Sequence, residues 1–532
     1  MSNVRVAWLL VAIGVLPAIA LAQEPMPRAL EAPSRFPPAR SPLFFSPPPI
    51  QTASFGASQQ VNVDWLGNNI PGDAANEPSL CIDPNDPRHI AVGWRQFDNV
   101  TSDFRQAGRA YSTNGGSTWT FPGVLETDVF RSDPVLAADG EGLFYYLSLQ
   151  PSPVFHCDLW KSLDGGATWQ LLGPAVGGDK AWMTIDTTSG IGRGNFYQVW
   201  SLAENTYGGR TFSRSTDGGL TWSDPMGVPQ RPYWSTLDFG PTGDLYVFGW
   251  NGNAFWLNRS TNAPDRTMTV EFDLTRPINL GGTLQSGATP INPVGLIGQP
   301  WVAVDRSSGP GRGNVYALSS VSGIGNPVNV MFARSTDGGQ TWSAPQRIND
   351  DSANQNAWHW FGTMSVAPNG RIDVCWNDTR SNPDNTLSEL YYSNSQDGGL
   401  TWSRNRAVSP PFNHSLGYPV QRKIGDYIGM VSLEEAACIA YSATFNGEQD
   451  IFFLRVEEPV ITVVSKSGDN VSLSWKAVAG RKYEVQYKNS LRLPWAPDAT
   501  VGSVVAEGAQ ATLEDKSTSG IDQRFYRVVE QP

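Results

Sequence analysis

The chain has 532 residues, a formal net charge of −12 and 20 tryptophans. That length exceeds one ordinary core and calls for a large domain with a smaller companion. The acidic balance argues against a nucleic-acid or anionic-membrane partner, and four histidines without an HExxH or His cluster argue against a built-in zinc site.

The N-terminus, "MSNVRVAWLLVAIGVLPAIALAQE", sets Arg5 before an apolar run and ends it at Ala20-Leu21-Ala22, the form of a secretory signal peptide over residues 1–22. No later stretch reaches the roughly 18 unbroken apolar residues of a spanning helix, so a secreted or periplasmic protein without a membrane span is expected. Residues 23–58 are rich in proline and read as an extended spacer. Cys81, Cys375 and Cys438 lie inside apolar strand-like runs and, with Cys157, show no C-x-x-C spacing; buried thiols fit them better than disulfides.

From residue 59 to 457 the chain repeats itself. "STNGGSTW" from Ser112, "SLDGGATW" from Ser162, "STDGGLTW" from Ser215, "STDGGQTW" from Ser335 and "SQDGGLTW" from Ser395 each follow a short β-run. The glycine pair supplies positive φ, the Asp side chain accepts turn N–H groups, and the Trp packs under the turn. One interval is about twice the others, and "WLNRSTNAPDRT" fills it as a degenerate copy with Asn262 in the Asp position. Seven apolar lead hairpins accompany these turns, from "EPSLCIDPNDPRHIAVGW" to "DYIGMVSLEEAACIAYS". Radially repeated four-stranded units make an all-β β-propeller. The count favours seven blades over six, with the strand around Val61–Trp65 completing the blade that contains Ile451–Val456.

The octapeptides resemble the Asp-box, or bacterial neuraminidase repeat, of sialidases and related propellers. That resemblance covers about residues 60–456. It implies that the boxes join third and fourth strands on the rim away from substrate, so that Asp164, Asp217, Asp337 and Asp397 are structural. After residue 458, "VSLSWKAVAGRKYEVQY" and "QRFYRVVE" resemble a fibronectin type III-like β-sandwich, expected over 458–532 as a spacer.

A propeller binds its ligand on the face where innermost strands begin. Before the first strands stand Asn76-Glu77, Arg131 with Asp133, Asp179-Lys180 with Trp182, Tyr233-Trp234, Gln299 with Trp301, His359-Trp360 and Asp426-Tyr427; after the second come Arg95, Glu204, Trp250-Asn251, and Asp378 with Arg380. The sialidase resemblance implies that Arg95, Arg131 and Arg380 grip a substrate carboxylate, that Tyr427 with Glu204 is the nucleophile, and that Asp133 or Asp179 is the acid/base. Asp378, Trp182, Trp234, Trp301, His359 and Asp426 complete the expected substrate ring. Two departures stand against it: no Arg occurs in "WLGNNIPGDAANEP", where the family's first arginine motif belongs, and sialidases have six blades. The readings are an exo-glycosidase releasing sialic acid or another acidic sugar, a polysaccharide lyase, and a non-catalytic glycan- or protein-binding propeller. No cofactor or metal is expected, and a monomer is.

Overall fold

The computed structural model describes residues 58–151, 154–285, 289–323, 325–353, 356–419, 421–459, 461–477, 479–490 and 499–531. The signal-peptide and spacer readings therefore fall outside the described residues, save Ser58. Every regular element is a β-strand, and no helix among the described residues is long and apolar enough to cross a membrane.

Seven antiparallel sheets follow one another along the chain. Their first strands are Ala74–Ile82, Ser132–Ala138, Trp182–Ile185, Trp234–Phe239, Trp301–Val304, His359–Val366 and Gly429–Ser432. Each first strand touches the next, and the seventh touches the first, so the sheets close a ring. This is a propeller. Sheets 1 and 3 hold three regular strands; single bridges, Tyr111 to Thr120 and Phe212 to Met226, stand where a fourth would pair.

The strand that closes sheet 7 comes earlier than the sequence suggested. Gln59 and Gln60 pair with Phe453 and Phe452, and the Val61 N–H donates to the Ile451 carbonyl at 2.8 Å. Val63 makes only a bridge to Asn69, and Trp65 stands 89% exposed on the turn beyond. Asp64 diverts the chain there, its Oδ1 accepting the Leu66 and Asn68 N–H groups. Val61, Val63, Trp94, Cys438, Ala440 and Phe453 then form one core between the last sheet and the first. All four cysteines are buried and unbonded.

The Asp boxes join neighbouring sheets. In the third, Asp217 Oδ1 accepts from Ser215 Oγ at 2.8 Å and the Thr221 N–H at 2.9 Å, and Oδ2 accepts from Thr221 Oγ1 at 2.6 Å. The second glycine of every box has positive φ and lies flat against the preceding sheet. A Cβ on Gly219 would sit 2.3 Å from Leu159 of sheet 2; one on Gly116 would sit 2.1 Å from Phe453 of sheet 7. The degenerate copy keeps part of this turn, with Ser260 Oγ donating to Asn262 Oδ1 and accepting from the Ala263 N–H.

Beyond the ring, strands Ile461–Ser467, Asn470–Lys476 and Gln510–Asp515 form one sheet, and Thr500–Val505, Lys482–Lys488 and Phe525–Gln531 another. Leu473, Trp475, Tyr483 and Val485 build their shared core.

Two substitutions separate turn chemistry from packing in the box. Asp217→Ala removes three hydrogen bonds on an exposed turn and should cost about 1 kcal/mol. Gly219→Ala meets both an unfavourable φ and the Leu159 side chain, and should cost roughly 2–4 kcal/mol. Denaturant unfolding of the two variants checks the order, and equal losses would show that the glycine is not the tighter constraint.

Candidate functional site

The polar mouth of the ring is made by irregularities at the starts of the first strands. The pairing of sheet 1 slips between Asn76 and Ser79, that of sheet 2 between Ser132 and Val135, and that of sheet 6 between Trp360 and Thr363. In each bulge one residue takes a positive φ: Glu77 (55°), Asp133 (47°) and Phe361 (59°); Lys180, ahead of sheet 3, does the same at 54°. A bulge re-aims the side chain it carries. Here the bulges turn Glu77 and Asp133, and the positive φ turns Lys180, towards partners beyond their own strands.

Those partners form one buried ionic network. Lys180 Nζ lies 2.6 Å from Asp426 Oδ2 and 3.9 Å from both Asp133 Oδ2 and Asp179 Oδ1. Lys423 Nζ lies 2.8 Å from Asp426 Oδ2 and 3.1 Å from Glu77 Oε1. Arg95 joins through Nη2, 3.1 Å from Glu77 Oε1, while its Nε donates to Asn76 Oδ1. Beside the network Tyr427 donates to the Pro134 carbonyl at 3.3 Å. The Trp182 ring sits 5.2 Å from Tyr427 and 4.9 Å from Trp301.

A connector covers this group. Asn292 Nδ2 donates to the Leu296 and Gly425 carbonyls, its Oδ1 accepts the Ile424 N–H, and the Leu296 N–H donates to Asp426 Oδ1. Ile297 packs with Phe361, Ile424 and Ile428. Residues 289–298, which lead into sheet 5, thereby reach the approach to sheet 7 and leave the charged cluster buried.

Burial and charge push two of these carboxyls apart. Burial raises Glu77 to about 7, against the pull of Arg95 and Lys423. Burial would raise Asp133 too, but Lys180, Arg95 and Lys423 outweigh it and hold that carboxyl at about 2. Asp426, despite burial, is held well below the usual range by Lys180 and Lys423. The Tyr427 hydroxyl is driven well above its ordinary value by burial, then by Glu77 and Asp133.

The expected arginine triad does not assemble. Arg131 is held by Glu126 and Asp158 and lies over the Trp160 ring. Arg380 is bound through Nε and Nη2 to Asp378, through Nη1 to Asp350 at 2.6 Å, and lies over Tyr391. Arg95 serves Glu77. Arg131 and Arg380 are thus each held by carboxylates of their own. The Glu204 carbonyl accepts the Asp179 N–H, and the carboxyls that weigh most on Tyr427 are Glu77 and Asp133. His359 belongs to the Arg380 cluster, its Nδ1 at 2.7 Å from the Val328 carbonyl and its Nε2 at 3.1 Å from Asp351. Trp234 packs with Phe248 and Trp250 rather than with Trp182 and Trp301. Asp133, Asp179, Asp426, Arg95, Tyr427, Trp182 and Trp301 do come together. Glu77 and Lys180 stood in the sequence ring without roles, and Lys423 was missed; its signal is the three-residue step to Asp426 in "KIGD". Among the described residues no group of His, Cys, Asp and Glu is arranged to hold a metal ion.

The chain is a propeller that carries the BNR/Asp-box repeat, matched by the family model over residues 333–344. It is also similar to a xyloglucanase of Paenibacillus sp., 27% identical over 361 residues. That match takes in 59% of this chain and 31% of the xyloglucanase, so the chain spans about a third of that relative. A solved phage phi92 endosialidase aligns with 78% of this chain and 71% of its own at 10% identity, TM-score 0.43. A fungal alcohol oxidase of the AA5 family, solved with copper, aligns with 89% and 92% at 12% identity, TM-score 0.47. In sequence, then, the chain carries an Asp-box repeat and is similar over 361 residues to a xyloglucanase.

Removing Asp426 leaves two buried ammonium groups short of a partner. Asp426→Ala should cost about 3–5 kcal/mol in denaturant unfolding at neutral pH. Because the folded carboxyl is depressed, its contribution is present above the ordinary carboxylate range and is lost as pH falls through the folded value. The gap between variant and parent should therefore shrink only in strong acid; a gap that is constant with pH would contradict the ion-pair assignment.

Proposed function

We propose that the protein is an exported glycoside hydrolase acting on a neutral polysaccharide, with Glu77 as proton donor and Asp133 as its ionised partner. The observation that carries this reading is the convergence of two buried carboxyls, Glu77 and Asp133, on one network with Arg95, Lys180 and Lys423. Burial pushes Glu77 up to about 7, while the three cations hold Asp133 down at about 2. Glycosidic cleavage needs such a division: one carboxyl still protonated near neutrality to protonate the leaving oxygen, another ionised to act at the anomeric centre. Trp182 and Trp301 supply indole surface of the kind on which a pyranose ring stacks. Substrate enters when residues 289–298 swing from the mouth, and their return excludes water.

The acidic-sugar alternative, cleavage of terminal sialic acid, draws less support. With Glu77 carrying its proton, Arg95, Lys180 and Lys423 face three carboxylates, Asp133, Asp179 and Asp426, so no positive excess awaits a substrate carboxylate. Kinship to a xyloglucanase favours a neutral glucan instead. A non-catalytic glycan-binding propeller is the second reading, and the complete burial of the network is the observation in its favour.

Release of reducing ends from xyloglucan and other neutral glucans, alongside fluorogenic sialosides, separates these readings. Glucan turnover is expected, with kcat reduced on the order of 10²-fold or more in Glu77→Gln and Asp133→Asn. Activity should fall as pH rises through about 7, and Glu77→Gln should lose that limb. Turnover of sialosides alone would refute the neutral-glycan assignment; binding without turnover of any glycan would establish the non-catalytic reading.

A further inference from the structure

A second buried acidic group lies where the ring closes. Asn62, just past the closing strand, donates through Nδ2 to Asp450 Oδ1 at 2.5 Å and to Asp73 Oδ2 at 3.3 Å. Gln96 Nε2 donates to Asp73 Oδ2 at 2.8 Å, and Asn446 Nδ2 to Asp450 Oδ2 at 2.6 Å. Glu448, in the same turn as Asn446, accepts from Asn69 Nδ2 and the Gly72 N–H. Asp73, Glu448 and Asp450 are 5%, 9% and 0% exposed. All these donors are neutral. The charged group acting on the pair is Glu448, which adds repulsion; Asn62 from the closing segment, Asn69, Gln96 from sheet 1 and Asn446 from the turn carry no charge to offset it.

The geometry leaves one atom unexplained. Asp73 Oδ1 is buried and accepts no hydrogen bond, while Asp73 Oδ2 and Asp450 Oδ1 share a single donor, Asn62 Nδ2. Two desolvated carboxylates this close, without a cation, cannot both stay ionised. One proton held by the pair removes one of the two charges that Asn62 alone would otherwise bridge.

We propose that Asp73 and Asp450 share one proton, and that this proton latches the N-terminal segment to the last sheet. The mechanical link is Asn62: its Oδ1 accepts the Ile451 N–H at 2.9 Å while its Nδ2 serves both carboxyls. The strand pairing beside it is made by Gln59, Gln60 and Val61. When the proton leaves, two negative charges face each other across that short seam and loosen it. Burial supports the direction, raising Asp73 to about 8 and Asp450 well above the ordinary range. The folded state then binds more protons than the unfolded chain, so stability is full in acid and is lost as pH rises through about 8.

The test is the melting temperature of the full chain from pH 5 to 9, with hydrogen exchange at Phe452 and Phe453 corrected for intrinsic rates. The parent should lose several degrees over that range and exchange faster at the seam at high pH. Asp73→Asn, which cannot ionise, should show a shallower slope and melt above the parent at pH 9; Asp450→Asn serves if the first variant fails to fold. Parallel slopes in parent and variant would overturn the proposal. So would a parent whose slope is abolished by millimolar calcium chloride in an Asp73-dependent way, since the group would then hold a cation rather than a proton.

Discussion

A glycine with no room for a side chain is the contact on which the ring depends. The second glycine of each Asp box presses its Cα against the sheet before it, on Phe453, Ala91, Leu159, Leu257 and Phe332 in turn. Positive φ at this residue makes the tight turn possible, and the missing Cβ lets two sheets meet at backbone distance. The box aspartate does a more local task by holding the turn in shape. Because boxes follow third strands, these contacts gather on the rim opposite the mouth.

That separation leaves the mouth free to carry polar chemistry that a sheet core could not. Its charges come from sheets 1, 2, 3 and 7; Lys180 and Lys423 are each shared between carboxylates and Arg95 lies beside Glu77, which offsets the cost of burying them. Such a network stiffens the axis and also creates the unequal acidities on which the proposed reaction rests. Stability and chemistry here use the same residues, and both follow from bulges that turn Glu77 and Asp133 out of the pleat.

The parts of the molecule written in local chemistry were legible from the chain. The five box turns, the degenerate copy at Ser260 and the strands around them need only neighbours a few residues away. The closing strand was read late because the alternation in "VNVDWL" looks like a strand, whereas Asp64 folds that stretch into a turn. Long-range pairing hid the site. Arg380 looked available until Asp350, thirty positions upstream, took its Nη1. Glu77 stood in the ring without a role because a bulge is not visible in composition, and Lys423 acquires meaning only once Asp426 and Glu77 stand on either side of it.

The ring, the cover over its mouth and the split carboxyl pair underlie the proposal that glycan chemistry occurs at the axis. A crystal structure of Glu77→Gln with a bound neutral oligosaccharide tests it most directly. The account predicts sugar rings beside Trp182 and Trp301, a glycosidic oxygen within hydrogen-bonding distance of residue 77, and residues 289–298 displaced from Asp426. An oligosaccharide bound elsewhere, with the Leu296 to Asp426 hydrogen bond intact, would contradict it.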